Sequence, residues 1–278
     1  MAKIILSLGL LTLIVAQTPH IHNDWLDTLP NPWTLSPQEM NKLLPIFQER
    51  FPDFQERLKY IALWRVGTPY EIFKLGEEIE PDTDPVIRYD VSDCTAHILT
   101  SLAAAQASTW DEAYWHMVDI HYKVNSNGQK EPTYKSRWHY TVDRITDNPY
   151  TVDMSQELIP ITSMDSVLIT LNQKQNGEAF LDLDWQRPMM VHYIPNREIN
   201  TELLAKLPTI AGVAFIKPSY FKMGLVTGHE GMLIDGTYLV HASQSEGKTV
   251  KVDFLSYYFQ KTGPIFGGIM IFEFKQNH

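Results

Sequence analysis

The sequence predicts an α+β fold with its helices first. Apolar residues at helical spacing dominate the early part of the chain, and beyond Glu198 short β-branched or aromatic runs follow one another, separated by Gly, Pro and Asp. The strand–helix–strand alternation that marks a parallel sheet is missing.

Met1–Lys3 forms a short positive start, and the run from Ile4 to Ala16 carries no charge. With Gln17, Thr18 and Pro19 behind it, this is the grammar of a secretory signal peptide, residues 1–16. The run is too short to span a bilayer comfortably, so no lasting membrane anchor is expected once it is cleaved. A buried N-terminal helix or strand is the weaker alternative. An exported protein, periplasmic or secreted, follows. Residues 17–57 read as a proline-rich lead-in and a helical region, and 58–278 as the main domain with an insertion at about 124–200. From Pro37 to about Trp64, Met40, Leu44, Phe47, Phe54, Leu58 and Ile61 keep helical spacing, with breaks expected near Pro45 and Pro52. Gly67-Thr-Pro-Tyr70 stops that helix. Asp90–Ala107 reads as a loop entering a helix, Trp110–Lys123 as a second, and Ser166–Leu171 as an alternating stretch. Strands are expected at Ala211–Lys217, Gly231–Ile234, Tyr238–His241, Thr249–Val252 and Ile269–Phe274.

Composition narrows the function. At 278 residues and 44% hydrophobic, the chain can build a sizeable core as one large domain or two small ones. A net charge of −10 with no basic run argues against nucleic acid or an anionic membrane surface as partner. The single cysteine, Cys94, excludes an intramolecular disulfide and a thiolate zinc site.

Cys94 carries the chemical argument. Ser92-Asp93-Cys94-Thr95 opens a helix, with Ser92 as the expected N-cap. Cys94 then sits in the first turn, where unpaired N–H groups and the helix dipole favour a thiolate and an oxyanion. Two histidines qualify as bases: His229 in Gly228-His-Glu-Gly-Met232 and His241 in Tyr238-Leu-Val-His-Ala-Ser243. They flank the turn signal Asp235-Gly236. A two-residue turn puts them on opposite faces, whereas a three-residue turn Ile234-Asp235-Gly236 sets them directly opposite each other on one face. A thiol at a helix start, a base and a second imidazole make a nucleophilic site.

Asp93-Cys94-Thr95, His229-Glu-Gly231 and His241-Ala242, in that order, resemble the NlpC/P60 cysteine peptidase superfamily of cell-wall enzymes. Gly67-Thr-Pro-Tyr70, Arg137-x-His139-Tyr140 and Tyr193-Ile-Pro195 are similar to its N-acetylmuramoyl-L-alanine amidase-like branch. Glu230 departs from the pattern, standing where the superfamily usually has an apolar residue. The resemblance implies a papain-like fold and cleavage of the bond between the lactyl group of N-acetylmuramic acid and L-alanine, in peptidoglycan fragments ending in 1,6-anhydro-muramic acid. It implies Cys94 as nucleophile, His229 as base, His241 as its orienting partner, and no metal or organic cofactor. Asp93, Thr95, Tyr70, Arg137, Trp138, Tyr140 and Ser243 become candidates for substrate contact: Arg137 toward a carboxylate, Trp138 or Tyr140 under a sugar ring, Ser243 at the pocket rim. Each also has a purely structural reading, as cap, core residue or strand end. Three other functions stay open: an endopeptidase cutting after γ-D-glutamate in the same peptides, a non-catalytic wall-binding module, and, disfavoured by a histidine at 241, a transglutaminase-like acyl transferase.

Overall fold

The computed structural model describes residues 25–125 and 127–276, so the leader-like segment 1–16 lies outside the described residues. The first helix, α1 (Pro37–Arg50), opens with a capping box: Ser36 accepts from the Glu39 N–H, and the Glu39 carboxylate accepts from the Ser36 N–H at 2.8 Å. Pro45 does not interrupt it, contrary to expectation. Pro45 and Asn41, whose carbonyl loses its helical partner, both lie on the exposed face, where water can satisfy that carbonyl. The break comes at Phe51–Asp53, and the Asp53 side chain caps α2 (Phe54–Trp64).

Next come α3 (Cys94–Gln106) and α4 (Trp110–His121). Every residue of α3 from Ala96 to Ala105 is buried, because the helix lies between α2, α4 and the sheet. Gly67-Thr-Pro-Tyr70 does more than end a helix. The Tyr70 N–H donates to the Gly247 carbonyl at 2.9 Å, and the Ser92 N–H to the Pro69 carbonyl at 2.9 Å. This segment therefore straps the approach to α3 onto the far side of the sheet.

The remaining elements are α5 (Thr141–Asp147), β1 (Thr151–Asp153), α6 (Ser155–Leu158), β2 (Asp165–Leu171), β3 (Arg187–Pro195), α7 (Thr201–Leu204) and β4 (Ile210–Ile216). After them come β5 (Thr227–Ile234), β6 (Tyr238–Ser243), β7 (Lys248–Asp253), α8 (Phe254–Tyr258), the short pair β8 (Phe259–Gln260) and β9 (Gly263–Pro264), and β10 (Gly268–Phe274). The main sheet is antiparallel, in the order β2-β3-β10-β4-β5-β6-β7, with β1 pairing the far end of β10. Each expected strand is present. Residues 124–200 are not peripheral to it: they supply α5, β1, β2 and β3, three of them strands of the same sheet.

The α+β expectation therefore holds. The sheet is covered on both faces. Helices α1–α4 bury Met40, Phe47, Leu99, Met232 and Phe272 on one side. On the other, Leu203, Phe215, Phe254, Tyr258 and Ile271 pack together under α7 and α8. The same period-two division runs along β5, so Glu230 shares the face of Met232 and Ile234, under α3, while His229 shares the face of Phe215 and Leu233.

Candidate active site

Asp93, rather than Ser92, caps α3. It is the extended residue immediately before the helix, and its Oδ1 accepts from the Ala96 N–H at 2.8 Å. Its Oδ2 accepts from the Phe73 N–H at 2.9 Å, so both oxygens serve the protein. The Ser92 hydroxyl accepts instead from the buried Arg65 guanidinium at 2.7 Å. Cys94 becomes the first helical residue, half-buried.

The two histidines lie on one face of the β5–β6 hairpin. The turn has three residues, but they are Asp235, Gly236 and Thr237, since Ile234 pairs with Tyr238. Asp235 and Gly236 both adopt positive φ, 51° and 59°. The register therefore differs by two from the expected pairing, and the histidines meet diagonally rather than head-on. His229 Nε2 and His241 Nδ1 are 2.8 Å apart, with the rings at 79°. His229 also stacks on Phe215, and His241 lies 4.7 Å from the Tyr257 ring.

Gly231 makes this closeness possible. A Cβ there would stand 3.0 Å from the His241 Cβ and 2.7 Å from a Leu239 methyl. Gly231→Ala should cost about 1–3 kcal/mol in urea unfolding, through overpacking, and push the imidazoles apart. Unchanged stability would show that the hairpin has slack at this point.

The ladder between β5 and β6 ends at Met232 and Val240, while His241 stays paired with β7. Where the strands part, the Cys94 thiol meets the backbone N–H of Glu230, the residue next to His229. Thr95 Oγ1 donates to Glu230 Oε1 at 2.5 Å, and Glu230 Oε2 takes an ion pair from Arg144 of α5, both side chains buried.

The ionisation differs from the expected thiolate. Burial, with the carboxylates of Glu230 and Asp93, pushes the Cys94 thiol up to about 12. Burial lowers His229 to about 3 and His241 to about 4. The thiol and the two imidazoles are therefore all neutral at rest. Tyr70 and Tyr257, each raised by burial and by Cys94, are protonated phenols near the sulfur.

Burial also holds His97 and His121 well below the ordinary 6.5. The unfolded chain takes protons on these residues near that value and the folded chain does not, so stability is lost as pH falls below it. Each of the two should cost about 1.4 kcal/mol per pH unit. Urea midpoints measured from pH 7 to 5 check this, and a flat profile would mean that the folded state accommodates the charged rings.

Other candidates fall elsewhere. Arg137 is held by Glu77 and Asp82, at 2.5 and 2.8 Å, so protein carboxylates fill the fork expected to bind a substrate. The Trp138 ring is covered by the Lys123 ammonium at 4.4 Å. Tyr140 is a core residue, its hydroxyl donating to Asn172 at 2.7 Å. Ser243 ends β6, its hydroxyl accepting from the Glu246 N–H and 3.1 Å from Ser245 Oγ, so it braces a turn rather than a rim. His139 is structural, 2.6 Å from the Tyr134 carbonyl. Of the seven substrate-contact candidates, Asp93, Thr95 and Tyr70 lie at the cysteine. Tyr257 and the Glu230–Arg144 pair were missed, and only the oddity of a glutamate on a core-facing strand position could have pointed to the latter. Among the described residues, no group of three or more His, Cys, Asp or Glu side chains is arranged to hold a metal, and no helix is long and apolar enough to cross a membrane.

A family model described as AmiA-like, N-acetylmuramoyl-L-alanine amidase-like, matches residues 60–265. The chain belongs to this family. The AmiA-like assignment makes it a cell-wall amidase-like hydrolase. The chain is similar in fold to a protein from Legionella pneumophila (TM-score 0.68, 20% identity, 86% of this chain and 94% of that one). It is also similar to an N-acetylmuramoyl-L-alanine amidase from Bacteroides uniformis (TM-score 0.61, 20% identity, 80% of this chain and 99% of that one). No curated protein matches the chain by sequence.

Proposed function

We propose that this AmiA-like chain hydrolyses the amide bond between the lactyl group of N-acetylmuramic acid and L-alanine in 1,6-anhydro peptidoglycan fragments, with Cys94, His229 and His241 as its catalytic residues. The observation that carries this reading is the 2.8 Å contact between His229 Nε2 and His241 Nδ1, with Tyr257 close both to the His241 ring and to the Cys94 thiol at the start of α3.

That contact supports a defined tautomer. To accept a proton at Nδ1, His229 must carry its own on Nε2, and the His241 Nδ1 lone pair receives it. The thiol starts neutral, so its proton passes to His229 as Sγ attacks the lactyl carbonyl, with no free thiolate required. The first-turn N–H groups of α3, that of Cys94 foremost, face the charge that develops on the carbonyl oxygen. Collapse of the tetrahedral intermediate breaks the C–N bond, His229 protonates the alanine nitrogen, and a thioester remains. His229 then takes a proton from water, whose oxygen attacks the thioester; the C–S bond breaks, the sugar acid leaves, and His229 returns the proton to Sγ.

Digestion of an anhydro-muramyl tripeptide followed by mass spectrometry tests the reading. Release of the intact tripeptide is expected. Loss of the terminal diamino acid alone would replace the amidase with an endopeptidase. The substrate also suits an exported protein, for which N-terminal sequencing of the mature chain should begin at Gln17.

A further inference from the structure

The thioester route makes no use of the Glu230–Arg144 pair. Both side chains are 1% exposed, and Glu230 occupies a strand position whose neighbours on that face, Met232 and Ile234, are apolar core residues. A buried ion pair seldom repays its desolvation, so apolar residues of similar volume would hold this core as well or better. Stability alone does not account for it.

Its placement does. Glu230 Oε1 accepts from Thr95, the residue after the nucleophile, at 2.5 Å. Its Oε2 is held by Arg144, anchored on a third element. Its backbone N–H lies against the Cys94 thiol, and the preceding residue is His229. A single residue therefore joins the strand of the base to the helix of the nucleophile.

We propose that Glu230 is a positioning residue, whose Arg144-anchored carboxylate fixes the first turn of α3 against the strand carrying His229. This rests on the reading of Cys94 as nucleophile. The groups acting on the sulfur are the carboxylates of Asp93 and Glu230, the phenols of Tyr70 and Tyr257, the Thr95 hydroxyl and the Glu230 N–H, with Arg144 behind Glu230. Replacing the Glu230 charge, or releasing its grip on Thr95, must change how the thiol ionises.

Iodoacetamide alkylation of the full chain as a function of pH tests this. Thr95→Ser keeps the hydroxyl and should follow the wild type. Glu230→Gln should lower the midpoint by about one pH unit, which makes alkylation at pH 8 about tenfold faster. Thr95→Val, a milder change at a half-buried site, removes both the Glu230 bond and the hydroxyl's own bond to the sulfur and should raise the midpoint while thermal unfolding stays cooperative. Wild-type profiles in folded Glu230→Gln and Thr95→Val would overturn the proposal and leave the pair purely structural. A wild-type thiol whose labelling fails to rise between pH 8 and pH 10 would be sealed from solvent and would instead overturn the nucleophile itself.

Discussion

Cys94→Ala should leave the anhydro-muramyl tripeptide uncut. Both halves of the thioester route need Sγ, so its removal takes away the acyl carrier as well as the attacking atom. A loss of about 10³-fold or more in kcat/KM is expected, as for nucleophiles that act as one unit with their base. The fold should survive. Cys94 is half-buried, and the cap of its helix belongs to Asp93, which the substitution leaves alone. Peptide release followed by mass spectrometry, beside thermal unfolding of the same sample, separates chemistry from folding. His229→Ala should match this loss, whereas His241→Ala should be milder, because it removes the partner that holds the tautomer rather than the base. A folded Cys94→Ala variant that kept a tenth of the wild-type activity would rule out the thioester route.

Arg144→Leu should destabilise the protein by about 3–5 kcal/mol, because it strands the Glu230 charge between α3 and the sheet. The double variant Arg144→Leu, Glu230→Val should regain most of that loss, since it leaves no unpaired charge and restores an apolar contact between helix and strand. Urea unfolding of the two variants beside the wild type checks both expectations. If Arg144→Leu cost less than about 1 kcal/mol, water or another cation would have to reach Glu230, against its 1% exposure.

How much of the site can be read from the chain depends on the range of the interaction. Cys94 at a helix start and a histidine on each strand of one hairpin follow from contiguous residues, a capping segment and a turn signal, while the length of the turn, which sets whether the histidines share a face, does not. The errors lie where distant contacts intervene. Ser92 looks like a cap until Arg65 claims its hydroxyl. The hairpin register shifts by two because Thr237 joins the turn, where its carbonyl accepts from the Phe254 N–H at 2.9 Å. β3 escapes notice because Pro188 and Pro195 obscure its strand signal, although both fall near its ends, where a missing donor costs least. The Arg137–Tyr140 segment reads equally well as pocket or core, and only Glu77, Asp82 and Asn172 show that it serves the interior.

The linear chain by itself determined the order of helices and strands and the placing of the lone thiol in a first turn, because each depends on periodicity and capping within a few residues, and it narrowed the two imidazoles to one face or two. The tertiary structure decided how these groups ionise and what holds them together. Desolvation depends on which remote segments cover a side chain, and so a thiol expected to ionise readily is kept protonated. The bonds that join its helix to the strand of the base cross 135 residues to Thr95 and 86 to Arg144, a closure that no local pattern encodes.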